Sequence, residues 1–544
     1  MFSQSIRVKK MRILIKNGFI VDGTGSEGYY GDVLTDGAII SKVSAGIEAC
    51  ADRVVDASGC IVCPGFIDTH SHSDVQILKN PYIEAKIRQG ITTEILGQDG
   101  ISAAPLPERY IDDWKRNLAG LDGELENIGW DFETVGDYLD RLERNGVCLN
   151  AGYLVPHGNI RMEAVGLEDR NASPDEILQM KCILEREMES GALGLSTGLI
   201  YTPSTYGSSL ELTELCKVVQ KYDGVFVVHQ RSEADDILNS MDEVINIGKA
   251  SGVRVHFSHF KVCGKKNWSK IDKILEKLDE AKADGVQISY DQYPYAAGST
   301  MLAVILPPWV LDGGTRKMLQ KLGESDARKR IKADIAAGLK GWDNFVDFAG
   351  TDKIFITSVK TERNRNLIGK SLGEIGELTG KDPLDAAMDI IAEEENAVGM
   401  IDFYGLEEHV KLFMKRPEQN VCTDGLLGGK PHPRVYGAFP RILGKYVREE
   451  NLMGIEEAVY KMTYRAASVF GLTGRGCLKE GKAADIVIFN PDIVQDKGTY
   501  TEPEQYPDGI GLVMVNGEIV LEDGNLRRVL PGCVIRKDDK KNGV

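Results

Sequence analysis

Histidine is scarce in this chain, with 8 among 544 residues, so any clustering of imidazoles carries information. Positive charge is also short: 65 Lys and Arg stand against 82 Asp and Glu, a formal net charge of -17. That balance argues against a nucleic-acid partner, because phosphate binding needs clustered Lys and Arg. It leaves room for a locally basic cleft. Long apolar runs are missing too, and none approaches the roughly 18 residues of a membrane span, so no membrane partner is expected. The segment Met1 to Lys10 lacks the apolar core of a signal peptide, and Met11 would serve equally well as a start. The 10 cysteines are scattered, as reduced core residues are. Cys60-x-x-Cys63 has redox or zinc spacing, but it lies in an apolar strand with no second pair and reads as structural. These features make the cytoplasm the expected compartment. What is present is ordinary for a soluble globular protein: 42% hydrophobic and 27% charged residues. The length suits one large domain and a smaller one.

Both ends have the texture of β-structure. Short alternating strands recur through residues 12 to 63, and Ala484–Phe489 and Gly511–Val520 match them. Neither piece is long enough for its own core, so residues 1–64 and 475–544 are expected to meet as one small β-sandwich. Between them, over 65–474, apolar strands alternate with helical segments, the pattern of a parallel sheet covered by helices. Strands are expected to end near His70, Gln98, Pro156, Thr197, His229, His259, Asp291 and Asp424. Helices are expected at Asp175–Ser190, Glu211–Tyr222, Asp236–Ala250 and Lys270–Ala283. The fold class is therefore α/β, a (β/α)8 TIM-like barrel whose catalytic groups belong at the carboxyl ends of the strands. The gap before the last strand is too long for one helix, which marks residues 296–352 as an inserted subdomain.

The histidines fall where such a barrel would use them. Gly65-Phe66-Ile67-Asp68-Thr69-His70-Ser71-His72 carries two imidazoles at alternate positions, which share a face on a strand. His229 closes Val225-Phe226-Val227-Val228, and His259 closes Val253-Arg254-Val255-His256-Phe257-Ser258. Asp424 follows Asn420-Val421-Cys422-Thr423 and adds a carboxylate at the last strand end. Two imidazoles from strand one, one each from strands five and six, and one aspartate from strand eight form a coherent metal site. His256 has the opposite parity and is expected in the core, while His409 belongs to a charged helix.

At these residues the chain resembles the amidohydrolase superfamily and, within it, the N-acyl-D-amino-acid deacylase (D-aminoacylase) family. The likeness runs from Gly18 to Asp485. It rests on the His70 motif, Gly90-Ile91-Thr92-Thr93-Glu94, Gly194-Leu195-Ser196-Thr197-Gly198-Leu199-Ile200-Tyr201, His229-Gln230-Arg231-Ser232-Glu233, Ser258-His259-Phe260-Lys261, Tyr293-Pro294-Tyr295 and Pro431-His432-Pro433-Arg434. One departure matters. Where the family usually carries Gly-Asn-Cys-Gly, with a cysteine that ligates zinc, this chain has Gly97-Gln98-Asp99-Gly100. Asp99 takes that place and could bridge two ions with separate oxygens. An oxygen donor keeps zinc as the first expectation but better tolerates manganese or cobalt. Strand four ends in Ser196-Thr197, with no lysine for the carbamate bridge of other superfamily branches.

The resemblance implies one or two divalent ions held by His70, His72, Asp99, His229, His259 and Asp424, with Asp424 serving as both weak ligand and catalytic acid/base. Lys261 shares the face of His259, and Arg434 lies in the loop after strand eight; both are candidates to hold a substrate carboxylate. Tyr201 and Tyr293 are further candidates for substrate hydrogen bonds, and His157 is expected to line the pocket. The implied activity is metal-dependent hydrolysis of N-acyl-D-amino acids to a carboxylate and a free D-amino acid. Two alternatives stand beside it: a cyclic amidase of the dihydropyrimidinase or dihydroorotase kind, and a non-catalytic barrel scaffold. The acyl chain, the amino acid, the metal count and the oligomeric state stay open.

Overall fold

Eight short parallel strands make a closed ring, and the seam of that ring is where the first and last of them meet. The computed structural model describes residues 11–122 and 128–537. The reading of Met1 to Lys10, and the outer limits of the terminal domain at 1 and 544, lie outside the described residues. The barrel strands are Phe66–Asp68, Ile91–Leu96, Asn150–Tyr153 continued after Leu154 by Val155–Pro156, Gly194–Gly198, Val225–His229, Arg254–Phe257, Ile288–Gln292 and Gln419–Val421. Each pairs in parallel with the next. A parallel bridge between Ser71 and Gly425 closes the ring, and the Asp424 amide donates to the His70 carbonyl at 2.9 Å. Beneath the seam, buried Lys86 binds Asp68, Ser71 and Thr423, tying strand one to strand eight.

The covering helices follow from sequence. In Pro174–Glu189 the buried residues Ile177, Met180, Ile183, Leu184 and Met188 recur at three- and four-residue spacing. Ser173 and Glu176 form a reciprocal capping box, and Pro174 fills the first helical position. Ser209–Lys221, Ile237–Ser251 and Ile271–Ala283 lie within two residues of their expected bounds.

The two terminal segments share one nine-stranded sheet, joined where Ile61–Pro64 pairs antiparallel with Ile486–Phe489. Alternate side chains serve different cores. Val62, Ile486 and Ile488 pack with Ile13, Ile15 and Met514 on the outer face. Ile61, Cys63, Val487 and Phe489 pack with barrel residues Phe66 and Phe439 on the inner one. Burial on both faces leaves Ile61–Pro64 and Ile486–Phe489 buried at every position, in place of the alternation expected. It also puts Cys60 and Cys63 on opposite faces, so they cannot converge on one ion.

The inserted excursion differs from the expected 296–352. Gly298–Met301, Ile354–Val359 and Val398–Asp402 form a three-stranded antiparallel sheet with helices between, so the excursion continues to residue 402. Its strand and helix alternation has the texture of the barrel itself, and only the antiparallel pairing sets it apart. Among the described residues, no helix is long and apolar enough to cross a membrane.

Candidate metal centre

The strand ends deliver their ligating atoms to one place. His70 Nε2 lies 3.2 Å from His72 Nε2, and Asp424 Oδ1 lies 3.7 and 3.3 Å from those two nitrogens. Asp99 Oδ2 sits 3.6 Å from His70, 3.5 Å from His72 and 3.7 Å from His259. His229 Nδ1 approaches His259 Nε2 at 3.0 Å. All six residues are buried.

This donor set fits a metal. Atoms bound to one tetrahedral zinc at about 2.05 Å stand about 3.3 Å from each other, close to the spacings just given. Three overlapping sets converge in this way: His70, Asp99 and His259; His70, His72 and Asp424; His229, Glu233 and His259. Among the described residues Asp99 Oδ1 is buried without a hydrogen-bond partner, although Oδ2 faces three imidazoles. A carboxylate with one oxygen unspent suits a second ion.

Backbone conformation points the same way. Asp99, His259 and Asp424 all have positive φ, at 54°, 34° and 47°. Such strain collects where function demands an orientation. Around Asp99 the turn is wedged between strands three and four. A Cβ on Gly97, which has φ 77°, would come within 2.1 Å of the Leu154 carbonyl. Gly97 is therefore fixed by backbone approach, and Asp99 is both a turn residue and a member of the cage.

The cage is strongly polarised. Burial would raise the Asp424 carboxyl, but Arg434, His259, His72 and His70 hold it well below the usual carboxylate range. Burial opposes charge on His72, and Asp424 and Asp99 override it, raising it to about 10. Burial brings His229 down to about 4.

Residues behind the cage fix its orientation. Asp291, at the end of strand seven, lies 3.9 Å from His70 Nδ1 and accepts a hydrogen bond from Thr69 at 3.2 Å. It also accepts from the His259 amide and contacts His256 Nε2 at 3.0 Å. Sequence reading took Asp291 only as a strand end, yet it touches Thr69, next to His70, and the backbone of His259. Glu233 is the other omission: it lies 3.7 Å from His229 Nε2, 3.3 Å from His259 Nδ1 and 2.6 Å from Lys261 Nζ. Its position four residues after His229 was the available signal.

An open cleft leads to the cage, lined among others by Tyr201, Lys261, Tyr293 and Arg434. Neither cation stands free. Lys261 pairs with Glu233, and Arg434 Nη1 pairs with Asp424 Oδ2 at 2.9 Å. The Arg434 guanidinium also lies 4.4 Å above the Tyr293 ring. Tyr293 Oη is 2.6 Å from Tyr404 Oη, and Tyr201 Oη is 2.9 Å from Thr300. His157 does not line this cleft. It is buried between Thr197 at 2.9 Å and Glu211 at 2.8 Å, where Arg161 also binds Glu211. His256 is in the core and contacts Ser289, and His409 sits on the helix Glu407–Met414 against Trp268.

Known proteins resemble this chain over nearly its whole length. The model of the amidohydrolase family matches residues 53–294 and 375–521. A D-aminoacylase of Alcaligenes xylosoxydans xylosoxydans is 33% identical over 512 residues, covering 94% of each chain. An N-acyl-D-glutamate deacylase of the same organism is 33% identical over 531 residues, covering 97% of each. The crystal structure of N-acyl-D-glutamate deacylase from Bordetella bronchiseptica, complexed with zinc and a phosphonate mimic of the tetrahedral intermediate, superposes with a TM-score of 0.81. It is 32% identical, and the match covers 97% of this chain and all of that one. The chain belongs to the amidohydrolase family, among the N-acyl-D-amino-acid deacylases.

Proposed function

We propose that this protein hydrolyses the amide bond of N-acyl-D-amino acids, with one or two divalent ions held by His70, His72, Asp99, His229, His259 and Asp424. The observation that carries the reading is the convergence of four imidazoles and two carboxylates, from five strand ends, at spacings suited to shared ions. A divalent ion bound there supplies a Lewis acid that acidifies water and polarises the scissile carbonyl.

The chain's own residues supply the rest. Asp424 is kept ionised by Arg434 at Oδ2, which leaves Oδ1 to accept the proton of the attacking water. The same oxygen returns that proton to the departing nitrogen, which an amine needs in order to leave. Arg434 and Lys261 hold the substrate carboxylate beside the scissile bond, exchanging part of their contact with Asp424 and Glu233 for it. Burial raises the phenols of Tyr201 and Tyr293, so both remain hydrogen-bond donors, one to the carbonyl and one to the carboxylate. Zinc is the favoured ion, and Asp99 in place of a thiolate widens the choice to manganese and cobalt. Free, scattered cysteines fit a reducing cytoplasm.

The cyclic-amidase alternative lacks the strand-four lysine, since Gly194–Gly198 carries Ser196 and Thr197 there. The test is metal analysis together with a chiral panel of N-acyl amino acids. Turnover of D isomers that is lost on chelation and restored by metal is expected. Full activity in a verified metal-free preparation, or preference for L isomers, would overturn the reading.

A further inference from the structure

The cleft contains a buried carboxylate that forms no ion pair among the described residues. Asp402 ends the strand Val398–Asp402, lines the cleft and is only 2% exposed. Among the described residues its Oδ2 has no hydrogen-bond partner and the carboxylate has no ion-pair partner. The nearby cations are committed elsewhere, Lys261 to Glu233 at 2.6 Å and Arg434 to Asp424 at 2.9 Å. Burying an unpaired carboxylate is costly, and the cost is met by taking up a proton or by a cationic ligand that completes it.

Its surroundings say what that ligand is. A Cβ at position 298 would come within 3.0 Å of Asp402 Oδ1 and 2.9 Å of the Tyr404 ring, so Gly298 opens the room beside the carboxylate. Phe345 and Phe348, with ring centroids 4.8 Å apart, line the same cleft. Asp343 adds a second acid to the lining, holding Ser232 Oγ at 2.5 Å and the Glu233 amide at 2.6 Å. Aromatic side chains that line the same cleft as an acid without an ion-pair partner suit an alkyl stem that ends in a cation. They disfavour an anionic side chain, which would meet Asp402 as a like charge.

We propose that the cleft selects N-acyl-D-amino acids whose side chain ends in an ammonium or guanidinium, with Asp402 as its counter-ion. This rests on the deacylase reading above and adds the substrate class. It separates this chain from its N-acyl-D-glutamate and N-acyl-D-aspartate relatives, named for acidic side chains.

The test is kcat/KM of the metal-loaded enzyme on N-acetyl-D-lysine, N-acetyl-D-arginine, N-acetyl-D-leucine and N-acetyl-D-glutamate. Lysine and arginine substrates should exceed leucine by about tenfold or more, with glutamate below leucine, as one charge-assisted contact implies. Asp402→Asn, which keeps the shape, should cut the lysine-to-leucine ratio by about tenfold to a hundredfold. Asp402→Glu should retain part of the ratio. Wild-type preference for leucine or glutamate over lysine, or a ratio unchanged in Asp402→Asn, overturns the proposal. The wild-type panel decides even if a variant fails to fold. Hydrolysis of the leucine substrate without the cationic preference sinks this inference alone. Hydrolysis of none of the four sinks the deacylase reading with it.

Discussion

Arg434 and Asp424 form a buried ion pair, Nη1 to Oδ2 at 2.9 Å, with the arginine side chain fully enclosed. The residue assigned to hold the substrate carboxylate therefore also holds the residue assigned to move the proton. Arg434→Ala should lower kcat/KM on acid substrates by about tenfold to a hundredfold, the cost of a charge-assisted contact of about 1.5–3 kcal/mol. Substrates with the carboxylate converted to an amide should lose less, and that remaining loss should appear in kcat, because Asp424 is disturbed in both cases. Equal losses on acid and amide substrates would confine Arg434 to supporting Asp424 and its loop.

His229→Ala and His259→Ala should lose metal on dialysis, measured by elemental analysis. Asp424→Asn should retain more metal and lose turnover by about a hundredfold or more, the scale of a missing proton shuttle. Wild-type metal content in both histidine variants would remove them from the ligand set.

Asp99→Ala should lower metal stoichiometry, since its Oδ2 lies within 3.7 Å of three imidazoles. Asp99→Cys should shift ion preference towards zinc in competition with manganese, because a thiolate is the softer donor. Unchanged metal content in the alanine variant would reduce Asp99 to its turn.

Burial pushes the Asp402 carboxyl up to about 7 from 3.8, with Glu233 adding to the rise, while Lys261 and Arg434 pull it down. A folded state that holds the proton more tightly than the unfolded one is favoured at low pH, and that advantage is lost as pH rises through about 7. Lys261 and Arg434 stay charged across this window. The Tm of Asp402→Asn minus that of wild type should therefore increase between about pH 5 and about pH 8. A flat difference would mean that Asp402 titrates as an exposed carboxyl does.

The barrel and most of the cage were legible because apolar runs stop abruptly at His70, His229, His259 and Asp424, and parity settles which side chains share a face. Asp291 and Glu233 were hidden for one reason: their meaning lies in partners from other strands. Asp291 meets Thr69 and His256, which no spacing within its own segment reveals, and Glu233 meets Lys261, with only its i,i+4 spacing from His229 to hint at it. Asp402 was obscured further, because its strand belongs to an excursion that resembles another barrel unit until its antiparallel pairing is known. His157 misled for the opposite reason. It follows a strand end, but buried Glu211 and Arg161 claim its surroundings.

The seam between strands one and eight joins residues more than 300 positions apart, as in the bond from the Thr423 amide to Asp68 with a sequence separation of 355. His70 and Asp424 belong to opposite sides of that closure, so the full ligand set is assembled only when the ring shuts. Contacts this distant in sequence are slow to form, since closing so long a loop costs entropy before the contact is made. During refolding, acquisition of native metal stoichiometry should accordingly trail the recovery of helical signal, making ion uptake a clock for the last step of assembly.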